Sequence, residues 1–360
     1  MKVYKAAIIG LGPSGLAVNK ILYGSSSDEI IGFENEDLNT RDNFFGFWLT
    51  DWMKPFDEII EKKWFKWTIG DINFNVTHIN NEKPYCVISF KKWKQYCLDT
   101  KNRLEIKNKE VVKYIPTQNY FKIITSDKKE YYAEKIYDSR FRKEKNDELI
   151  QHFLGINITV EDNTFDEKNL TLMHFTKENN ILHFIYILPF SHNKALVEST
   201  VFSKEVFEDI WYRNKIKEYL NLKNITNFIE NSEEKGVIPM FFVDEKRSLN
   251  PNIINIGIRG GACKPSTGYA FSFLIKQIQQ LKNSKKNYVN VHKFLERKMD
   301  KIFINFLKNN NENGQSFIKL ASNLNGNEFQ SFMMGESNLL TKFKIIKSMP
   351  KLSFIKEIFK

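Results

Sequence analysis

The chain has 360 residues, of which 42% are hydrophobic and 27% charged, and this predicts about two globular domains with a large core. These proportions exclude wholesale disorder, and no apolar run approaches the ~18 residues that a membrane-spanning helix needs. The 54 Lys and Arg residues outnumber the 43 Asp and Glu residues, which gives a net charge of +11. The basic residues are dispersed and accompany no nucleic-acid-binding motif, so we expect no nucleic-acid partner.

Cysteine and histidine usage bears on redox compartment and metal binding. Cys86, Cys97 and Cys263 are odd in number and widely separated, which argues against a disulfide framework. The six His residues are dispersed as well, so we expect no metal site. The apolar run near the N-terminus meets glycines too early for a signal peptide, and we therefore expect a cytoplasmic protein.

The predicted elements begin with a βαβ unit. Residues 3–9 form a β-branched strand that ends in glycines, residues 16–23 have helical character, and residues 29–33 form a second strand. The aromatic-rich region 44–93 follows without a regular period. Short alternating patterns then predict antiparallel strands at residues 105–112, 120–125 and 130–137.

The second half of the chain shows more strands and then helices. Strands are predicted at residues 170–175, 181–188 and 195–202. A helix is predicted at residues 204–221. A buried strand at residues 253–258 runs into a second Gly-rich turn, and a helix at residues 268–281 follows it. From residue 288 onward the pattern is mostly helical.

The first Gly-rich turn reads Gly10-Leu-Gly12-Pro13-Ser14-Gly15 and fits G-x-G-x-x-G between a strand and a helix. Such glycines permit a tight turn, close approach of the backbone to a pyrophosphate, and tight packing of helix on strand. The helix N-terminus offers N–H groups to phosphates, and Glu34 stands where an acidic side chain binds ribose hydroxyls. The turn predicts dinucleotide binding, and its position at the start of an interrupted topology favours FAD over NAD.

The second Gly-rich turn, residues 255–269, lies between a buried strand and an apolar helix. Backbone N–H groups in such a turn can lie against a flavin ring, and the following helix dipole can stabilise negative charge on a reduced flavin. A structural loop in the sheet is the alternative. The candidate cofactor-binding residues in this turn are Gly257, Gly260, Gly261, Lys264, Pro265, Ser266, Thr267 and Gly268.

The two Gly-rich turns are distant in sequence, and a single nucleotide-binding domain that contains both must be discontinuous. We therefore predict an α/β (α+β) fold, in which a Rossmann-like FAD-binding domain is interrupted by a substrate domain with a mixed or antiparallel sheet. The FAD-binding domain is predicted to comprise residues 1–60, 94–160 and 235–290. The substrate domain comprises residues 61–93 and 161–234, and a C-terminal helical region comprises residues 291–360.

Several segments, taken in order, resemble one known family. They are residues 10–15 with Glu34, Phe47-Trp48, Tyr137-Asp-Ser-Arg140, residues 151–155, Phe165-Asp166, and residues 184–189, 195–200, 236–239 and 260–269. In this order and spacing they resemble the bacterial lycopene β-cyclase family of carotenoid biosynthesis, nearly from end to end. The resemblance implies an FAD-binding fold like that of the flavin hydroxylases and a cyclase with no net redox change. It also implies reduced FAD, NAD(P)H as the electron donor, and long linear polyene substrates drawn from the membrane.

The chemistry of ring closure requires an acid in a dry pocket, because a terminal double bond must be protonated before the next double bond attacks. Glu198 matches the acidic position of the family's Leu-x-Glu-(Glu/Asp)-Thr motif, which the resemblance implies is catalytic; the alternative is a surface or salt-bridged carboxylate. Two positions depart from the family pattern. Ser199 replaces the motif's second acid, and His174 replaces the Asp of Leu-Met-Asp-Phe. His174 is either a substitute proton carrier or a packed strand residue.

Aromatic faces stabilise carbocations, as they do other cations. The family match supplies the candidate substrate-pocket residues Phe47, Trp48, Tyr186, Pro189 and Tyr269, for which core packing is the alternative. Asp138 and Arg140 resemble the family's Asp-x-Arg near the flavin, and a structural ion pair is the other interpretation.

The C-terminal segment, residues 342–360, interleaves Lys with Ile, Leu and Phe. A basic amphipathic segment of this kind lies in a bilayer interface, or else docks on the chain's own core. Because the expected substrate is dissolved in membrane, we expect peripheral association with the inner face of the cell membrane.

Two further functions fit the same sequence. One is a flavin monooxygenase or halogenase that acts on another apolar substrate, and it would consume NAD(P)H and oxygen and change the mass of the product. The other is a non-catalytic flavin- or polyene-binding protein, which would bind its ligand without turnover. Cyclisation differs from both because it yields a product of unchanged mass.

Overall fold

A computed structural model describes residues 1–140, 148–161, 163–179, 181–243, 248–284, 286–309 and 314–349. Its strands, numbered in chain order, are β1 Val3–Tyr4, β2 Ala6–Ile9, β3 Glu29–Glu34, β4 Phe44–Trp48, β5 Lys62–Trp64, β6 Lys66–Gly70, β7 Asn75–Ile79, β8 Tyr85–Ser89, β9 Arg103–Asn108, β10 Val111–Pro116, β11 Phe121–Thr125, β12 Glu130–Ala133, β13 Ile136–Asp138, β14 Ile150–Thr159, β15 Asn169–Phe175, β16 Leu182–Ser191, β17 Lys194–Ser203, β18 Ile229–Pro239 and β19 Ile253–Asn255.

The helices are α1 Pro13–Ala17, α2 Phe90–Leu98, α3 Asp209–Leu222, α4 Phe271–Lys282, α5 Phe294–Asn309, α6 Gln315–Ser322, α7 Gly326–Met333 and α8 Leu339–Ser348. Helix α1 continues as a π-helical turn over Val18–Tyr23, and a 3₁₀ segment spans Asp51–Ile59.

The two Gly-rich turns meet at one parallel sheet of strand order β19-β13-β2-β3-β9. Strand β2 is fully buried, as expected of a central strand in a sheet that is covered on both faces. Helices α1 and α4 cover one face through Leu16 and Ile275, and the four-stranded sheet β1-β12-β11-β10 covers the other through Phe121 and Ile123. Because all five strands are parallel, their carboxyl ends lie along one edge, where nucleotides bind in such sheets.

The second large sheet has seven strands, in the order β18-β14-β17-β16-β15-β6-β7. It is antiparallel except where β15 runs parallel to β6. Side chains alternate between its faces. Ile185 and Val197 pack against α3, whereas Leu188 and Leu196 face the core that contains α5, α6 and α7. A three-stranded sheet, β4-β8-β5, contributes further side chains to this core.

The structure corrects several predicted strand boundaries. The predicted strand 3–9 divides at Lys5, because β1 pairs with β12 whereas β2 pairs with β3 and β13. Residues 130–137 divide in the same way: β12 is antiparallel to β11, but β13 is parallel to β2. Residues 105–112 end one strand and begin another, and the helix predicted from residue 204 begins at Asp209.

Sequence patterns do not reveal β14, β18 or the strands within residues 44–93. Strand β14 alternates in burial, but its buried positions include the polar His152, and β18 is an edge strand with many exposed polar side chains, so the apolar pattern is weak in both sequences. Both strands lie in the seven-stranded sheet. The predicted FAD-binding segments 94–160 and 235–290 therefore each contribute to that sheet, and the domain boundaries stay a prediction.

Candidate active site

The first Gly-rich turn lies at the carboxyl end of β2. Gly10 has φ +88°, a value that L side chains rarely adopt, and a Cβ at Gly15 would lie 2.0 Å from the Gly10 carbonyl oxygen. Gly12 is different, because a Cβ there would have Nη1 of Arg41, at 4.0 Å, as its nearest heavy atom. The turn therefore keeps an open cradle at Gly12, beside the N-terminus of α1, where Pro13 occupies the first position. This fits close approach of a pyrophosphate.

The second Gly-rich turn contacts the first. Gly257 has φ +65°, and a Cβ there would lie 2.5 Å from Ser14 Oγ. Gln277 of α4 holds the turn by accepting from Gly257 N at 2.7 Å and donating to Gly260 O at 2.8 Å. The predicted meeting of the two turns at one sheet edge is thus present in the geometry.

Acidic residues beside the turns have protein partners. Glu34 accepts from the backbone N–H of Leu11 at 2.9 Å and lies 3.2 Å from the Arg41 guanidinium. Asp138 is fully buried and forms an ion pair with Arg140 at 2.8 Å, which also donates to Val111 O. The ion pair that was the alternative interpretation of Asp138 and Arg140 is therefore present. A role for these residues in cofactor binding stays a prediction.

Lys264 and Ser266 direct their side chains away from the turns. The Lys264 ammonium lies 2.5 Å from Asp300 Oδ1 of α5, and Ser266 Oγ donates to the same oxygen at 2.6 Å. Their side chains are thereby engaged in the protein interior, and only the backbone of this segment is left to face a cofactor. Lys264 N donates to Tyr269 O and Gly268 N to Lys264 O, which closes the turn before α4.

Two residues that are not among the candidate site residues lie at this edge. Arg41 lies next to Gly12 and Glu34, where a cation would face a diphosphate. Gln151 of β14 has a buried Oε1 without a hydrogen-bond partner among the described residues, and a Cβ at Gly268 would lie 2.1 Å from it. An orphaned amide oxygen at the second turn fits a polar ligand there.

A cavity of about 340 Å³ connects the Gly-rich turns to the seven-stranded sheet. Pro13, Thr267 and Gly268 line one end. The sheet end is mainly apolar and aromatic, and is lined by Phe44, Trp48, Tyr85, Leu172, Phe184, Tyr186, Leu188, Leu196 and Tyr269. Two carboxyl groups, Glu198 and Glu234, also line it. The volume lies within the range of ~300–1,000 Å³ for small-molecule sites.

Glu198 lies on β17 in the apolar part of this cavity. Burial raises the pKa of Glu198 to about 7, although Thr200 Oγ1 donates to its carboxylate at 2.5 Å and opposes that change. Glu234 of β18 accepts from the backbone N–H of Phe44 at 2.8 Å. Burial, and then the nearby Glu198, raise the pKa of Glu234 well above its ordinary value. The cavity therefore holds two carboxyl groups that resist ionisation at neutral pH.

Some of the candidate substrate-pocket residues line the cavity and others do not. Trp48, Tyr186 and Tyr269 line the cavity, and Tyr269 accepts from Trp48 N at 2.8 Å. Phe47 packs instead against Phe271 in the core beneath the parallel sheet, and Pro189 is buried opposite Ala195 at the end of a hairpin. The structure thus brings three of the five candidates to one cavity.

His174 is separated from Glu198 by the sheet. Its ring packs edge-on against Tyr219 of α3, and burial lowers the pKa of His174 to about 4. Ser199 also faces α3, where its hydroxyl bonds to His183 Nε2 at 2.8 Å. The structure therefore favours the packed-residue interpretation of His174. A second acid at position 199 would not reach the cavity.

The match to a family decides the classification. The family model described as "Lycopene cyclase protein" matches residues 6–358. The chain belongs to the lycopene cyclase family. No curated protein sequence gives a significant match. The family expected from the ordered motifs is confirmed.

Several solved structures resemble this member of the lycopene cyclase family in fold. A geranylgeranyl bacteriochlorophyll reductase-like protein from Thermoplasma acidophilum is 11% identical, with a TM-score of 0.66 over 99% of this chain and 98% of that one. The flavin-dependent brominase Bmp2 is 14% identical, with a TM-score of 0.56 over 99% and 92%. CtdE, solved in complex with FAD, is 12% identical, with a TM-score of 0.55 over 99% and 100%. The predicted mixed α/β fold with C-terminal helices is confirmed.

Proposed function

We propose that this chain is an FAD-dependent enzyme that closes rings on the end groups of a linear polyene such as lycopene, with Glu198 as the proton donor. The observation that carries the proposal is Glu198 itself, a carboxyl group buried in an apolar, aromatic cavity that reaches both Gly-rich turns. Family membership and fold support the FAD-binding enzyme, and the cavity supports an apolar substrate.

The residues of the cavity suit each step of ring closure. Glu198, held neutral by burial, gives its proton to the terminal double bond, and the next double bond attacks the resulting cation. Trp48 and Tyr186 present aromatic groups to that charge. Loss of a ring proton to a carboxylate restores neutrality, so the product has the mass of the substrate and no oxidant is consumed.

The Gly-rich turns would hold FAD, with Gly12 and Arg41 at the diphosphate and the 267–268 backbone toward the flavin end of the cavity. Bound reduced FAD supplies negative charge beside the developing cation, and we propose NAD(P)H as its electron source. The N-terminus of α4 lies at this end of the cavity and favours such charge.

Expression in lycopene-producing bacteria tests this function. We expect conversion of lycopene to γ- or β-carotene of unchanged mass, detected by chromatography with mass detection. Glu198→Gln is expected to lower the yield about 100-fold or more, because it removes the acid and keeps the shape. The initial rate of the purified enzyme should fall as the pH rises through about 7, since Glu198 must carry its proton.

Glu218→Gln, an exposed carboxyl on α3, serves as the control and should match the wild type. An oxygenated or halogenated product, with oxygen-dependent NAD(P)H consumption, would assign the monooxygenase or halogenase function instead. Tight polyene or flavin binding without any product would assign a binding protein. Full activity of Glu198→Gln would rule out Glu198 as the acid.

We also propose that the chain associates with the membrane surface through α8. Among the described residues no helix is long and apolar enough to cross a membrane. Leu339, Leu340 and Phe343 on α8 are, however, 76%, 76% and 68% exposed, and Lys347 is exposed near them. Lys342 is not part of this surface, since it forms a buried ion pair with Glu296. Residues 350–360 of the basic segment lie outside the described residues.

A sedimentation assay with anionic phospholipid vesicles tests the α8 surface. Leu340→Ser with Phe343→Ser is expected to reduce the bound fraction severalfold, because two apolar side chains no longer enter the interface. Ile229→Ser removes an equally exposed side chain from β18 and should bind as the wild type does. Equal binding by all three proteins would exclude α8 as the membrane contact.

A further inference from the structure

Glu198 and Glu234 are placed on either side of one glycine. In the seven-stranded sheet, Gly155 of β14 pairs with Glu198 of β17 on one side and with Glu234 of β18 on the other. Register partners point to the same face of a sheet, so both carboxyl groups lie over Gly155. A Cβ at Gly155 would lie 2.9 Å from Leu196 Cδ1, 3.2 Å from Glu234 Cγ and 3.4 Å from Glu198 Cβ. Because Gly155 has no side chain, both acids and Leu196 pack directly over its backbone.

The two acids differ in what surrounds them. Glu198 lines the apolar cavity, whereas Glu234 lines both that cavity and a second, polar one of about 360 Å³. The polar cavity is lined by Glu36, Thr40, Arg41, Asp42, Asn43, Glu233, Glu234 and Lys235. Of the two carboxyl groups that line the apolar cavity, Glu234 is therefore the one that also lines the polar cavity.

We propose that Glu198 and Glu234 form an acid pair that holds one proton across Gly155, and that Glu234 exchanges this proton with the polar cavity. The pairing rests on the geometry of the sheet alone. Its role in turnover rests on the proposed cyclase function.

In each turnover the two carboxyl groups of the pair then donate one proton and take up one proton. The one proton of the pair can reside on either carboxyl group, and turnover proceeds from the state in which it is on Glu198 and Glu234 is ionised. The O–H bond of Glu198 breaks as a C–H bond forms at the terminal double bond. After ring closure a ring C–H bond breaks, the new ring double bond takes its electrons, and the proton goes to Glu234. Transfer of this proton from Glu234 to Glu198 restores the starting state without any oxidant or reductant.

Other titratable groups face the pair and belong to its titration. From β8 and β16, the Tyr85 and Tyr186 hydroxyls lie 3.0 Å apart beside Glu198, and burial raises the pKa of each above its ordinary value. Around Glu234, on the side of the polar cavity, are Glu36, Arg41, Asp42, Glu233 and Lys235. Glu233 and Lys235 are already engaged with Arg213 and Asp209 at the surface.

Infrared titration of the flavin-loaded protein tests the pair without using activity. The C=O band of protonated carboxyl groups would be followed from about pH 5 to about pH 10 in the wild type, Glu198→Gln and Glu234→Gln. In a pair that shares a proton, the wild type keeps a protonated band to a pH about one unit or more above the single step of either variant. A wild-type curve equal to the sum of the two variant curves would mean independent groups and overturn the pair.

Steady-state kinetics test the role in turnover. Glu234→Gln can still accept from Phe44 N, so we expect KM within about twofold of the wild type, kcat lower by about 100-fold, and loss of the acidic limb of the pH profile. Glu230→Gln, a carboxyl on the same strand that pairs with Arg213 at the surface, is the control and should match the wild type. Wild-type kcat and pH profile in Glu234→Gln would overturn the role.

The outcomes separate this proposal from the proposed function. Non-additive titration in a protein that makes no cyclised product keeps the pair and rejects the cyclase. Cyclisation with additive titration keeps the cyclase and rejects the pair. If one glutamine variant fails to fold, the other decides, because a wild-type protonated band that persists to no higher pH than the single step of that variant overturns the pair.

Discussion

Gly12→Ala is expected to give a folded protein whose affinity for FAD is at least about tenfold lower, or about 1.4 kcal/mol. The methyl group would meet no protein atom closer than Arg41 Nη1 at 4.0 Å, so the clash it creates is with the bound diphosphate. The loss in stability should be limited to about 1 kcal/mol, because Gly12 is the N-cap of α1 and Ala is a poorer N-cap.

Titration of flavin fluorescence gives the affinity, and thermal unfolding of the flavin-free protein gives the stability. Gly15→Ala is the matched contrast, since its methyl group would lie 2.0 Å from the Gly10 carbonyl oxygen. That variant should lose stability even without FAD. Unchanged FAD affinity in Gly12→Ala would mean that the cofactor, if bound, does not approach this turn.

The parts of the site that the sequence predicts are those fixed by local backbone requirements. The turn at residues 10–15 needs glycine for its φ value and for helix packing, and both requirements are visible in a run of six residues. Glu198 is predicted from its match to the family motif, because β17 is buried on both faces and its residues alone do not show which face carries the cavity. Alternation along the strand then places Ser199 on the face opposite Glu198.

The remaining features depend on pairing between distant strands. Glu234 stands in a charged edge strand, and only its register with Gly155 brings it beside Glu198. His174 would share a face with Leu172 in a regular strand. Instead a bulge between Thr171 and His174 puts Leu172 and Met173 in the cavity and turns His174 toward α3. A one-residue irregularity thus distinguishes the two interpretations of His174, and the sequence contains no local mark of it.

The buried ion pair of Lys264 and Asp300 allows a test of whether Lys264, a predicted cofactor-binding residue, serves the fold or the cofactor. The two side chains are 1% and 2% exposed, their charged atoms lie 2.5 Å apart, and the Lys264 ammonium lies over the Phe332 ring. Asp300→Ala leaves this ammonium buried without its carboxylate. The free energy of unfolding should therefore fall by about 3–5 kcal/mol, as measured by denaturant unfolding of the flavin-free protein.

The double variant Lys264→Met with Asp300→Leu tests whether Lys264 serves the fold or the cofactor. Replacing both charges with apolar side chains of similar volume should restore most of the stability, apart from the hydrogen bond that Ser266 loses. If the lysine only ties the second Gly-rich turn to α5, the double variant keeps wild-type FAD affinity, because the backbone of the turn is unchanged. A stable double variant with FAD affinity reduced tenfold or more would instead assign the Lys264 charge to the cofactor, since the loss of the ion pair would then be separated from the loss of binding.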